Sequence, residues 1–365
     1  MGKIIHELKK VSGRLLFPLL IPSKKTHSDK ILLLKNDSIG DFLLFSGILN
    51  FYVKRFGEKV YCLVNNNVEG VASLYTENII PIDNKKYFAS LSYRYDLLNR
   101  LNDMGFGTAV NSILNSSVSR DILHILKIPT AYLYGGMLRG AGQWEKRAAV
   151  IQSIKMHDEN GRYAKVLDHE RHYLERILNI TVSEEEVKPF IPLKDSFSKS
   201  IIDKFSIDSS RYFAISLGSG SLMKNYPADR FMEIIGYLHS KFNIGAVVLG
   251  QEKNTSIKLP DFAADLRNST SLIEALGIIK HARLFVGNDT GITHASWIMG
   301  VPTVMIIGGG HFGRFLPMYD NGRAVYKHKD CYGCDWKCMY KDVPAQCIGE
   351  INTADIVKSA EELLS

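Results

Sequence analysis

Short apolar runs alternate with amphipathic stretches of helical period, twice over, and this alternation restricts the fold more than any other feature. The first series of apolar runs is Lys30–Lys35, Val60–Val64, Ile79–Ile80, Thr108–Ile113 and Ala131–Tyr134. Helical patterns over Asp41–Arg55, Ser90–Asn102 and Ser119–Leu126 lie between them. A second series begins at Tyr212–Leu217 and continues through Gly245–Leu249, Ala263–Leu266, Leu284–Val286 and Thr303–Ile307. Its intervening helices are expected at Pro227–Lys241, Ser271–His281 and Ile292–Met299, with Ser271 and Glu274 spaced as a capping box. Strands that are apolar throughout are buried on both faces. They therefore read as parallel sheets covered by helices. The expected fold class is α/β, with two Rossmann-like domains. The 365 residues suit two domains of ordinary size.

The expected boundaries are 1–190 for the first domain and 191–350 for the second. A closing helix in 351–365 is expected to pack back on the first domain. A helix is expected over Val166–Leu178, and Ser183–Ser200, with Pro189 and Pro192, reads as the linker. Residues 136–165 hold glycines and charges without apolar periodicity, so they read as a long loop or lid, or as a surface insertion.

Charge limits the partners. The balance of 45 basic and 38 acidic residues gives +7, which suits anionic ligands or an acidic membrane surface. There is no dense basic run to suggest nucleic acid. No apolar stretch reaches the roughly 20 residues of a membrane span. Near the N-terminus, Lys3, Lys9, Lys10 and Arg14 precede an apolar run from Leu15 to Ile21 that is interrupted by Pro18. This reads either as a basic amphipathic segment on the inner membrane face or as a helix packed on its own domain. The expected location is cytoplasmic, with peripheral contact on the cytoplasmic face of the inner membrane.

Three motifs carry chemistry, each where a strand ends. Asn36-Asp-Ser-Ile-Gly40-Asp41 follows the first strand and opens a helix. A carboxylate at the C-terminal edge of such a sheet meets ligand, so Asp41 can take a proton from a substrate hydroxyl or simply cap its helix. Gly218-Ser219-Gly-Ser-Leu-Met-Lys224-Asn-Tyr-Pro227 offers backbone N–H groups and an ammonium to a phosphate. It matches neither a Walker loop nor a dinucleotide fingerprint. In Gly287-Asn-Asp289-Thr290-Gly291-Ile-Thr-His294, the Thr290–Gly291 turn can hold a diphosphate, with Asp289 steering Lys224 or binding hydroxyls.

These motifs, in this order over residues 30 to about 310, resemble glycosyltransferase family 9, the bacterial lipopolysaccharide heptosyltransferases. Lys224-Asn-Tyr226-Pro227 is similar to the family's Lys-x-Trp/Tyr-Pro segment, and Asp289-Thr-Gly291-x-x-His294-x-Ala to its Asp-Thr-Gly-x-x-His-x-Ala signature. The resemblance implies a GT-B fold, two Rossmann-like domains facing each other across a cleft, with acceptor bound by the first and sugar nucleotide by the second. It implies Asp41 as general base, and a donor site of Ser219, Lys224, Glu252, Asp289, Thr290, Gly291 and His294. Glu252 would lie near the ribose. The implied reaction is inverting and metal-independent, moving heptose or a hexose-type sugar from a nucleoside diphosphate to a cell-surface glycan or glycolipid. The sequence departs from the family at Lys35, where Arg is frequent, and at Ser46-Gly47, where proline is usual. The sugar is therefore not fixed as heptose. An epimerase or hydrolase of similar fold, which would convert donor alone, and a non-catalytic sugar-nucleotide binder are the alternatives.

Cys331, Cys334, Cys338 and Cys347 crowd into one short segment. Four thiolates at this spacing read as a structural zinc site, and equally as disulfides or free thiols. No cofactor is expected for catalysis.

Overall fold

The computed structural model describes residues 17, 19–21, 27–113, 116–134, 149–151, 165–208, 211–251, 257–315 and 320–365. These form two compact units, one from residues 1–154 and 169–188, the other from 155–168 and 189–365. The expected lid at 136–165 lies largely outside the described residues. No helix among those described is long and apolar enough to cross a membrane.

The first unit holds β1 Ile31–Lys35, β2 Val60–Asn65, β3 Ile79–Ile82, β4 Thr108–Asn111, β5 Thr130–Tyr134 and β6 Ala149–Ile151. All pairings are parallel, in the order β3-β2-β1-β4-β5-β6. The second unit holds β7 Tyr212–Ser216, β8 Gly245–Leu249, β9 Ala263–Asp265, β10 Phe285–Asn288, β11 Thr303–Ile306 and β12 Gly322–Val325. It is again wholly parallel, ordered β12-β11-β10-β7-β8-β9. Counted within its own unit, each sheet has the doubly wound order 3-2-1-4-5-6. The order in which strands are added reverses between the first and fourth strands, and at such a switch point the loops part and doubly wound folds bind their ligands.

Burial explains why these segments are strands. Every residue of β1 and of β7 is buried, as expected of central parallel strands. The helix after β1, Ile39–Phe56, starts at Ser38, whose side chain accepts from the Asp41 N–H. The capping box expected at Ser271 and Glu274 is present in the helix Leu272–Ile279.

The linker expectation is corrected. The linker expected over Ser183–Ser200 is shorter, because a helix occupies Asp195–Lys204 and buries Ile201 and Ile202. The closing helix Thr353–Leu364 packs in the second unit. Its apolar face buries Ile356 and Ala360 in the core that also contains Phe231, Ile235 and Val304. In the N-terminal segment, most of which lies outside the described residues, Phe17 and Ile21 are buried in the first unit's core. Leu19 and Leu20 are 80% and 50% exposed, so the segment has one docked face and one open face.

The departure at Ser46-Gly47 has a packing cause. A Cβ on Gly47 would come within 2.0 Å of the Val187 carbonyl oxygen, so only glycine lets the 185–187 turn lie against this helix.

Candidate active site

In the first unit, the loop after β1 lies at the switch point between β1 and β4. Asp41 is half-buried in the first turn of its helix, where the Ser38 hydroxyl donates to its Oδ2 at 2.6 Å. The Asp41 carboxylate keeps further lone pairs beyond the one that the Ser38 hydroxyl uses. Behind the loop, Asn36 is buried and tied across the sheet. Its Nδ2 donates to Asn84 Oδ1 at 2.6 Å, and the Ser119 hydroxyl donates to its Oδ1 at 2.9 Å.

Lys35 ends β1 at 2% exposure, with its Nζ 3.0 Å from Glu170 Oε1 and 3.1 Å from Asp37 Oδ2. A lone ammonium could not be buried here. Burial disfavours its charge, but Asp37, Glu170 and Asp41 together raise its pKa, so it stays protonated. One cation among three carboxylates leaves an excess of negative charge. Asp37 absorbs it: burial, with Asp41 and Glu170 nearby, pushes its pKa up to about 7 against the pull of Lys35. Asp37 and Glu170 are site residues that sequence reasoning missed. Glu170 lies 135 residues from Lys35 in the chain, and no local pattern joins them.

In the second unit, β7 and β10 are neighbours at the switch point, and the loops after both carry the donor-site candidates. Asn288 ties them together, accepting from the Tyr226 N–H at 2.9 Å and donating to the Leu217 carbonyl at 2.7 Å. Lys224 Nζ donates to Asp289 Oδ2 at 3.0 Å, and His294 Nε2 lies 3.0 Å from Asp289 Oδ1. Burial alone would raise the Asp289 pKa. The hydrogen bond with His294 and the Lys224 charge reverse this and hold the carboxyl well below its ordinary range. Asp289 thus fixes the cation at the mouth of the sheet. One of the three ammonium protons serves Asp289.

The helix Gly291–Ile298 begins at Thr290 without any side-chain cap. Its first N–H groups and its dipole face the same end of the sheet as Lys224, an arrangement that suits an anion. Ser219 sits in the β7 loop, its hydroxyl donating to the Ser221 carbonyl. The structure therefore brings together Lys224, Asp289, Thr290, Gly291 and His294, with Ser219 on the adjoining loop. Glu252 lies outside the described residues.

The cysteines Cys331, Cys334, Cys338 and Cys347 are all free. Burial and the neighbouring Cys334 thiol, which hydrogen-bonds to it, push Cys338 up to about 11. Cys347 is raised by burial and by Cys331 and Cys334, while the Gly309 N–H donates to its Sγ at 3.4 Å. By chemistry the four are a soft-metal donor set. By arrangement they do not close on one point: among the described residues no three His, Cys, Asp or Glu side chains are placed to share an ion.

The profile of glycosyltransferase family 9 (heptosyltransferase) matches residues 132–342, more than half of the chain. Among curated relatives, a lipooligosaccharide heptosyltransferase 2 of Campylobacter jejuni is 23% identical over 345 residues, which is 89% of this chain and 95% of that protein. Among solved structures, the ADP-heptose lipopolysaccharide heptosyltransferase II of E. coli superposes with a TM-score of 0.68 at 16% identity, covering 92% of this chain and 98% of that one. The iron-containing dodecameric glycosyltransferase TibC of enterotoxigenic E. coli gives a TM-score of 0.55 at 14% identity, covering 93% of this chain and 77% of that one.

Proposed function

The chain belongs to glycosyltransferase family 9 and is a glycosyltransferase, and on that premise we propose that it moves a heptose or hexose-type sugar from a nucleoside diphosphate to a hydroxyl of a cell-surface glycan, with inversion. Asp41 accepts the acceptor's proton as that oxygen attacks the anomeric carbon. The bond from the anomeric carbon to the diphosphate oxygen breaks, and its electron pair leaves with the nucleoside diphosphate. Lys224 and the N–H groups of the Thr290–Gly291 turn stabilise the charge that develops there. Ser219 and Glu252 complete the donor site.

The observation that carries this reading is the Lys224–Asp289–His294 arrangement beside an uncapped helix start at the β7/β10 switch point. A cation pinned by a carboxylate needs no reorganisation when the leaving group forms, and no metal need replace it. The test is a thermal-shift panel of nucleoside diphosphates and nucleotide sugars. One nucleotide should raise the melting temperature of the wild type, and Lys224→Ala should lose most of that rise. An undiminished rise in the variant would move the donor elsewhere.

The cysteine segment is proposed to take a structural zinc ion, supported by four free thiols within electrostatic reach of one another. Protein purified without chelators should carry one equivalent of metal. Metal-free protein with all four thiols reactive would refute it. The exposed Leu19 and Leu20, beside the basic N-terminal residues, are proposed to touch an acidic membrane surface. Cosedimentation with anionic vesicles should then fall on Leu19→Glu with Leu20→Glu, and unchanged binding would dismiss the contact.

A further inference from the structure

The cysteine segment does more than adjoin the donor loops. Its central residue, Trp336, lies with its ring under the Lys224 ammonium, 4.9 Å from Nζ to the ring centroid. Lys224 is therefore held from two sides, by the Asp289 carboxylate and by the indole face. A cation over an indole is attracted by the ring quadrupole, more strongly than over a phenyl ring.

The ring is fixed with unusual firmness. It seats on the turn after β11, where a Cβ on Gly308 would lie 2.7 Å from its Cη2 and one on Gly310 within 2.5 Å of three of its atoms. Glycine at both positions is what admits the ring. Two backbone hydrogen bonds clamp the segment to the same turn, Gly333 N–H to the Gly309 carbonyl at 2.8 Å and Asp335 N–H to the Gly310 carbonyl at 3.0 Å. Asp335 and Trp336 both adopt left-handed backbone, at φ 52° and 59°. That conformation disfavours residues other than glycine, so packing must sustain it. The indole Nε1–H is buried against the same turn and has no acceptor among the described residues, so packing and not a hydrogen bond holds the ring.

We propose that Trp336 is a donor-site positioning residue: its ring carries the Lys224 ammonium and holds it where the anionic part of a bound nucleoside diphosphate would meet it. The inference rests on the donor-site reading above, and the experiment separates the two. Tyr332 provides the control. It packs on the same turn, where a Cβ on Gly309 would meet its ring at 2.1 Å, and its hydroxyl donates to the Lys327 carbonyl. A Tyr332→Leu variant therefore loosens the segment without removing the indole.

ADP, GDP and UDP are titrated by calorimetry into full-length wild type, Lys224→Ala, Trp336→Leu, Trp336→Phe and Tyr332→Leu, with the melting temperature of each recorded. For the nucleotide that binds wild type, Trp336→Leu should weaken binding about tenfold. Trp336→Phe, which keeps a ring that attracts a cation less strongly, should recover part of that loss. Tyr332→Leu should lower the melting temperature as much as Trp336→Leu yet bind nucleotide like wild type. Wild-type affinity in Trp336→Leu, or equal weakening in Tyr332→Leu, would overturn the inference while a weakened Lys224→Ala left the donor site standing. Undiminished binding by Lys224→Ala, or no binding to wild type, would overturn both.

Discussion

Asp41→Asn should lower kcat by about 10²- to 10⁴-fold, the span expected for a lost general base. Donor affinity should stay near the wild-type value, because the donor loops belong to the other unit. The variant is chosen because Asp41 is also bonded to the helix cap, Ser38. An asparagine oxygen can still accept from the Ser38 hydroxyl, which now donates to Asp41 Oδ2, so the helix start and the melting temperature should survive. Single-turnover rates with saturating donor, beside thermal melts, check both halves. A variant that keeps within a few-fold of wild-type kcat would remove Asp41 from the role of general base. The proton would then have to go elsewhere, and Asp37, on the same loop with its pKa pushed up to about 7, is the next candidate.

The largest effect on stability should come from Asp121→Ala. Arg94 and Asp121 are fully buried. Arg94 Nε donates to Asp121 Oδ2 at 2.9 Å and Nη2 to Oδ1 at 2.7 Å, while the Tyr87 hydroxyl donates to Oδ2 at 2.8 Å. Phe17, Tyr87 and Phe88 ring the guanidinium at 4.9 to 5.5 Å. Removing the carboxylate takes the ion-pair partner from a fully buried guanidinium, a loss of about 3–5 kcal/mol. The double change Arg94→Met with Asp121→Leu should recover most of this, because it removes the buried charge together with its partner. Denaturant melts of the single and double variants decide it. A single-variant loss below about 1 kcal/mol would mean that water reaches the site. The pair also bears on the active site. Asp121 shares a helix with Ser119, which holds Asn36 behind the catalytic loop.

What could be read from the sequence was what lies close along the chain. Leu32–Leu34 and Phe213–Ile215 announce central strands because both of their faces are buried. Asp41, Lys224 and Asp289 stand out as candidates because a doubly wound sheet delivers its ligand residues in the loops after its strands. Glu170 and Ser119 do not, since they join the β1 loop over sequence separations of 135 and 83 residues. The helix Asp195–Lys204 was hidden by Pro189 and Pro192, whose influence ends before it starts, and by a mostly polar sequence with only a narrow buried face. The edge strand Gly322–Val325 was hidden because two of its four residues are only half-buried, and it shows no continuous apolar run. Trp336 looked like one residue of a metal-binding segment, and its role emerges only from contacts with glycines some 25 positions earlier.

The shared strand order of the two sheets has a consequence for how such an enzyme can vary. Each unit packs its core between sheet and helices, and the proposed function confines ligand contact to loops at one end. Mutations in those loops change what is bound with little charge to folding, and either unit can drift without the other. One lineage can therefore retain its nucleotide while trying new acceptors, or keep its acceptor while adopting another sugar. A library aimed at new specificity should randomise the loops after β1, β7 and β10 and leave the strands untouched. Lys35 and Asn288 should also be held constant, since both reach these loops from inside the sheet.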